Sequence, residues 1–246
     1  MRATLWVAVA SVTALAQANW SVTNLSPVGS SSSYALAAYG SQQAGFAEVD
    51  GSIRASLWSG TAASWVDLNP AGAAFSVANA LSGSQQAGYA VVGGQPRASL
   101  WSGSAASWVD LHPALATEST AIAASGSQQA GYAVVGGQPR ASLWSGTAAS
   151  WVDLNPAGAV NSIAWAVSGT QQAGYATVGG VTRASTWNGT ADSWVDLSPA
   201  GATFSIASAT TGSLQAGAAE VGDYYRASLW NGTAASWVDL HPSGST

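Results

Sequence analysis

Arg97-Ala98-Ser99-Leu100-Trp101-Ser102-Gly103, followed by Trp108-Val109-Asp110-Leu111, decides how this chain is read, because the stretch recurs without a slip. The Arg-Ala-Ser start falls at 54, 97, 140, 183 and 226, a period of 43 residues. Behind each Arg come a Trp at +4, a Gly at +6, a second Trp at +11 and then Val-Asp-Leu. Self-similarity at a fixed period of this length marks a repeat architecture. Residues 82–111 and 125–154 differ only at Ser104 and Thr147, as expected of duplicated copies of one unit.

Within the unit 82–124, residues 84–92 alternate small and large side chains and stop at Gly93-Gly94, a turn signal. Residues 96–101 read as a second strand, 107–111 as a third stopped by Pro113, and the looser stretch 114–124 as a fourth. In two copies the turn after the first Trp is Asn188-Gly189 or Asn231-Gly232, a hairpin signal. Helix periodicity is absent. Four short strands in 43 residues fit a propeller blade, whose usual length is about 40–50 residues. The expected fold is therefore all-β, a five-bladed β-propeller of 43-residue four-stranded repeats, with an incomplete six-bladed propeller as the alternative. Val22-Thr23-Asn24-Leu25-Ser26-Pro27 aligns with Trp65-Val66-Asp67-Leu68-Asn69-Pro70. The reading that follows is ring closure, the last hairpin completing the blade opened by this N-terminal segment, with one terminal strand in surplus.

The chain of 246 residues has 7% charged residues, six Lys plus Arg, eleven Asp plus Glu and a net charge of −5. That balance excludes the basic clusters on which nucleic-acid or anionic-membrane binding depends. Arg2, the apolar run from Leu5 through Leu15 and the small-x-small Ala16-Gln17-Ala18 describe a secretory signal peptide over 1–18. Arg2-Ala3-Thr4-Leu5-Trp6 also echoes the repeat, but out of phase with it. The expected mature chain is one domain over 19–246, secreted or at the cell surface and monomeric. No later run has the roughly 18 uninterrupted apolar residues of a membrane span. Cys is absent, so no disulfide contributes.

The ordered landmarks Gly83-Ser84-Gln85-Gln86-Ala87-Gly88-Tyr89, Gly94, Arg97-Ala98-Ser99-Leu100-Trp101, Gly103 and Asp110-Leu111 resemble the HAF-type extracellular repeat of bacterial proteins. That repeat has a Gly-Gln-rich strand, a His/Arg-Ala-Phe-Leu-Trp strand, then Gly and Asp-Leu. Here Ser stands for the usual Phe, and an added Trp precedes Val-Asp-Leu. The resemblance covers nearly all of 19–246 and implies a bacterial secreted or surface propeller. It implies no activity and carries no functional residues across.

Arg54, Arg97, Arg140, Arg183 and Arg226 each stand thirteen residues before Asp67, Asp110, Asp153, Asp196 and Asp239. Equal supply of the two charges favours a structural pair between neighbouring strands over a ligand clamp. Trp58 and Trp65, Trp101 and Trp108, Trp144 and Trp151, Trp187 and Trp194, and Trp230 and Trp237 are assigned to the core rather than to sugar stacking. His112 and His241 share one repeat position before Pro, filled elsewhere by Asn69, Asn155 and Ser198, and read as polar turn residues. Two His 129 residues apart make no metal site.

No nucleophile–base constellation or phosphate loop is present, and the carboxylates Glu48, Asp50, Glu118, Glu220 and Asp223 are scattered. The expectation is a protein that is not an enzyme and uses neither cofactor nor metal. Differences between copies gather in two places, the loop before the fourth strand and the turn before Arg. From these come the candidate ligand-binding residues Phe75, Phe204, Asp223, Tyr224 and Tyr225. The sequons at Asn19, Asn24, Asn188 and Asn231 match the N-glycosylation pattern, which a bacterial source would leave idle. The expected role is a binding or scaffold module for a protein or glycan. A lectin with one site per blade and a purely structural surface protein are the alternatives.

Overall fold

The computed structural model describes residues 21–242, so the signal-peptide reading over 1–18 lies outside the described residues. The chain folds into five antiparallel four-stranded sheets, each made of consecutive strands. The first holds β1 (Ser30–Tyr39), β2 (Gln42–Val49), β3 (Ser52–Trp58) and β4 (Val66–Asp67). The second holds β5 (Ser76–Ser82), β6 (Gln85–Val92), β7 (Gln95–Trp101) and β8 (Val109–Asp110). The third holds β9 (Glu118–Ser125), β10 (Gln128–Val135), β11 (Gln138–Trp144) and β12 (Val152–Asp153). The fourth holds β13 (Ala159–Ser168), β14 (Gln171–Val178), β15 (Val181–Trp187) and β16 (Val195–Asp196). The fifth holds β17 (Ala202–Thr210), β18 (Gln215–Val221), β19 (Tyr224–Trp230) and β20 (Val238–Asp239).

The local chemistry accounts for the strand order. Gly93 and Gly94 both take positive φ, 63° and 81°, which is the backbone of a tight two-residue hairpin. Gln86, fully buried, accepts the Gly103 N–H at 2.9 Å and donates to Ser84 O at 2.9 Å, tying the first turn to the end of β7. Gly88 faces a register shift in β5 between Ala78 and Ala80, where a Cβ would collide with the Val77 carbonyl. The bulge and the glycine therefore require each other.

Three expectations are corrected. The fourth strand of each sequence unit crosses to the next sheet as its first strand, so the sheet frame is offset from the sequence frame. Asn188-Gly189 does not make a two-residue hairpin, because residues 188–194 separate β15 from β16 and include a 3₁₀ turn at Ala191–Ser193. The Gly189 N–H is instead held by Gln172 Oε1 at 2.9 Å. Finally, residues 21–27 form no strand, and β17–β20 complete the fifth sheet without them. The segment keeps the linker chemistry of its aligned copy: Asn24 Oδ1 accepts the Ser26 N–H at 2.8 Å, as Asp67 Oδ1 accepts that of Asn69.

Sheets pack face to face along the chain. Ala44, Ala55, Leu57 and Leu68 of the first meet Ala78, Leu81, Ala90 and Trp101 of the second, and equivalent sets form the next three joints. The first strands β1, β5, β9, β13 and β17 pack in succession and so lie innermost. Among the described residues, the fifth sheet and the first do not pack on each other in this way. Leu68, Leu111, Leu154 and Leu197 are 0% exposed, whereas the fifth copy, Leu240, is 52% exposed. Ala227 on one end face and Ala35 on the other are exposed, although their counterparts in the interior joints are buried.

The joint also explains a residue that reads in sequence as turn filler. The Ala55 N–H donates to Ser76 Oγ of the next sheet at 2.9 Å, and that hydroxyl donates to Asn69 Oδ1 at 2.7 Å. The same relay runs through Ser119, Ser162 and Ser205 at the other three joints. Burial without these partners would leave backbone donors unsatisfied.

Leu111→Ala is expected to cost about 2–5 kcal/mol of folding stability and Leu240→Ala less than about 1 kcal/mol, measured by equilibrium urea unfolding. Equal losses at the two positions would mean that the end face is covered in solution.

Candidate binding surface

In each sheet the β2–β3-type turn and the linker into the next first strand lie at one end, and the Gly-Ser turns lie at the other. Both classes of copy-to-copy variation therefore fall on a single end of the molecule. Ser52 Oγ donates to Ala74 O at 3.3 Å, and the Phe204 and Tyr225 rings meet edge-on with centroids 5.7 Å apart. Sequence spacing separates these segments by 22 and 21 residues; packing of β3 against the next sheet brings the first pair together, and the shared partner strand β18 brings the second.

The five candidate ligand residues divide between two places. Phe204, Asp223, Tyr224 and Tyr225 belong to the fifth sheet, and Tyr224 and Tyr225 are both exposed. Phe75 precedes the second sheet and packs edge-on against Tyr89 at 6.1 Å. The carboxylates are not gathered: Glu48 and Asp50 belong to the first sheet, Glu118 to the third, Glu220 and Asp223 to the fifth. Among the described residues no group of three His, Cys, Asp or Glu could hold a metal ion.

The repeated charges make five pairs. Arg54, Arg97 and Arg140 reach Asp67, Asp110 and Asp153 at 2.9 Å, Arg183 reaches Asp196 at 2.7 Å, and Arg226 reaches Asp239 at 2.6 Å. In each repeat the other carboxylate oxygen accepts a backbone N–H two residues on. At Asp239, the His241 N–H and then Arg226 hold the carboxyl below the usual range.

The first Trp of each pair (58, 101, 144, 187, 230) is at most 1% exposed and out of reach of a ligand. The second donates its indole N–H to the buried Ser of Arg-Ala-Ser, as Trp108 does to Ser99 at 2.9 Å. That Ser in turn donates to the Arg97 carbonyl at 2.9 Å. The two departures from the HAF pattern, Ser for Phe and the added Trp, are thus one hydrogen-bonded pair.

Sequence reading missed an aromatic series on the second strands. Phe46, Tyr89, Tyr132 and Tyr175 share one repeat position and are all half-buried. Tyr132 lies close enough to Tyr89 and Tyr175 to raise both phenol pKa values, after burial, which is the larger cause. The signal was present as an aromatic two residues after Gln-Ala in four copies. Trp165 was missed too; it lies outside the paired Trp pattern and lines a cleft of about 420 Å³ with Asn161, Tyr175, Thr177, Thr182 and Phe204.

No family model matches the chain, and no curated protein matches it in sequence. Its fold is that of solved β-propellers. A TolB of Agrobacterium tumefaciens superimposes with TM-score 0.58 at 11% identity, covering 82% of this chain and 76% of that one. TolB from Acinetobacter baumannii gives TM-score 0.54 at 12% identity, over 83% of this chain and 54% of that one. A puromycin hydrolase gives 0.60 at 13% identity, over 84% of this chain and 36% of the hydrolase. At these identities the likeness is one of fold alone.

His112 gives the surface a measurable pH response. Its Nδ1 lies 2.8 Å from Ser119 Oγ and its Nε2 lies 3.0 Å from Ala116 O, so the network selects the neutral Nε2–H form. Burial lowers its pKa below 6.5; the Ala116 bond and Asp110 oppose this, and Arg97 adds to it. Above 6.5 both folded and unfolded chains carry neutral imidazole, but below it the unfolded chain gains a proton that the folded chain resists. Stability is therefore lost as pH falls below 6.5 and through the lowered folded value. Asn155 makes the same two bonds without titrating. His112→Asn should lose less stability than the unsubstituted chain between pH 7.5 and pH 5 in urea unfolding, and parallel losses would remove His112 from the account.

Proposed function

We propose that this chain is a secreted or cell-surface bacterial propeller of the HAF-repeat type acting as a non-enzymatic binding module. Its five sheets are read as five blades, with an incomplete six-bladed propeller as the alternative that the exposed end faces of the described residues support. The observation that carries the functional reading is the segregation of variation among the connecting segments: those at one end differ from copy to copy, whereas those at the other repeat. Drift confined to loops would have spread over both ends, because turns at either end tolerate change. At the opposite end the Gly-Ser-Gln turns stay nearly constant across copies. Dispersed carboxylates, and Asp residues each held by an Arg and a backbone N–H, favour binding over catalysis.

A glycan is the favoured ligand class, and a protein the second. The burial of the first Trp of each pair argues against one sugar site per blade on that residue. Aromatic and hydroxyl side chains at the variable end supply the chemistry that sugar recognition uses. The test is binding of the purified chain 19–246 to a glycan array and to surface-extract proteins, repeated with two variants. Phe75→Ala/Tyr225→Ala should weaken whatever binds by about tenfold or more, and Tyr39→Ala, at the opposite end, should leave it unchanged. Loss on Tyr39→Ala alone would move the function to the other end and overturn the reading.

A further inference from the structure

Every sheet carries a bulge in its innermost strand, and the extra residue of that bulge is not committed to the pleat. The register shifts fall at Leu36, Asn79, Trp165 and Ser208 in β1, β5, β13 and β17, with Ile122 at the corresponding repeat position in β9. Bulges re-aim a side chain. Asn79 shows where: its Nδ2 reaches across to Ala121 O on the next inner strand at 2.9 Å. In the fourth sheet the same place is filled by Trp165, which is 39% exposed and lines the cleft shared with Phe204 of the fifth sheet.

The rest of this cleft is also particular to the fourth copy. Asn161 stands where other copies have Ser32, Phe75, Glu118 and Phe204. Thr177 replaces Val91, Val134 or Glu, and Thr182 replaces Ile53, Pro96, Pro139 or Tyr225. The three polar residues form a chain: Thr177 Oγ1 donates to Asn161 Oδ1 at 3.0 Å and lies 3.2 Å from Thr182 Oγ1. With Thr177 donating to Asn161, Thr182 donates to Thr177. That leaves the Asn161 amide hydrogens and the Thr182 lone pairs for a bound molecule. Tyr175 and Phe204 complete the apolar wall, and no charged side chain lines the cleft.

We infer that this cleft is a single binding site for a neutral pyranose residue of a glycan. An indole face suits the C–H face of a sugar ring, and an amide donor beside hydroxyl acceptors suits its ring hydroxyls. The absence of lining charge disfavours acidic sugars and phosphates. The volume of about 420 Å³ lies within the roughly 300–1,000 Å³ of small-molecule sites. This rests on the binding-module reading above and narrows it from an end of the molecule to one cleft, and from five equivalent sites to one.

The test is isothermal titration of the chain 19–246 with cellobiose, maltose, lactose and N,N′-diacetylchitobiose, each into the millimolar range. One or more should saturate at a single site. Trp165→Ala should weaken that binding by about tenfold or more, Trp165→Phe should restore part of it, and the urea midpoint should stay unchanged. Thr182→Val should weaken it by a smaller factor. Failure of all four sugars to bind would overturn the inference, as would binding of about five equivalents or binding indifferent to Trp165→Ala. If Phe75→Ala/Tyr225→Ala abolishes capture of another ligand while Trp165→Ala does not, the cleft inference falls and the binding-module reading stands. Absence of any ligand for the unsubstituted chain removes both.

Discussion

A four-stranded sheet of this repeat has two apolar faces and can cover neither by itself. One face presents Ala44, Ala55, Leu57 and Leu68; the other presents the equivalents of Ala78, Leu81, Ala90 and Trp101. Only a neighbour of the same kind supplies the complement, so each sheet depends on the next. The Ala N–H to Ser Oγ relay ties the backbones at these joints and consumes the buried donors that packing alone would strand. Leu240 shows what the face is like without a neighbour, since the same residue in the same local structure goes from fully buried to half exposed.

Because the joints hold the frame, the Arg–Asp pairs and Trp pairs are better understood as stiffening within a blade than as chemistry. Each Arg ties β3-type to β4-type strands, and each Asp also holds the linker that leads to the joint. Five of the six basic residues and five of the eleven acidic ones are spent on this. Among ten paired indoles, five are enclosed and five hydrogen-bond a buried Ser, so aromatic surface available to a ligand comes from other positions. Those positions are the bulge residue, the aromatic series from Phe46 to Tyr175 and the variable end. A rigid frame with divergence confined to a few re-aimed side chains suits recognition, since the binding groups need little ordering on contact.

Periodicity and turn chemistry in the sequence determined the four strands of each repeat, their order along the chain and the all-β class. Gly-Gly and Asp-Gly at the hairpins are local signals with local causes. The thirteen-residue spacing of Arg and Asp likewise foretold their pairing, because two adjacent antiparallel strands bring those positions together. Three things were not legible. The 3₁₀ turn at 62–64 rests on the Ser64 hydroxyl, which accepts the Ser59 N–H and donates to the Thr61 carbonyl, and this leaves no hydrophobic period to read. The residue before Pro, which looked like turn filler at Asn69 and His112, takes its role from a Ser on the following sheet. Which sheet the fourth strand of the sequence unit joins could not be read either, since linker and strand look alike whichever neighbour they meet.

What the sequence alone determined is the blade: its strands, its Gly-Gly hairpins, its internal ion pair and the two apolar faces it must bury. What only the tertiary structure decided is which faces are buried, that the variable segments share one end, and that Trp165 opens on a cleft instead of entering the core. The physical reason is range. Strand, turn and ion-pair chemistry act over a few residues along the chain or across one ladder, and a 43-residue period records them faithfully. Exposure of Leu240, the reach of a bulge side chain and the composition of a cleft between two sheets depend on how blades meet, and near-identical repeats carry no mark of which neighbour each face will meet.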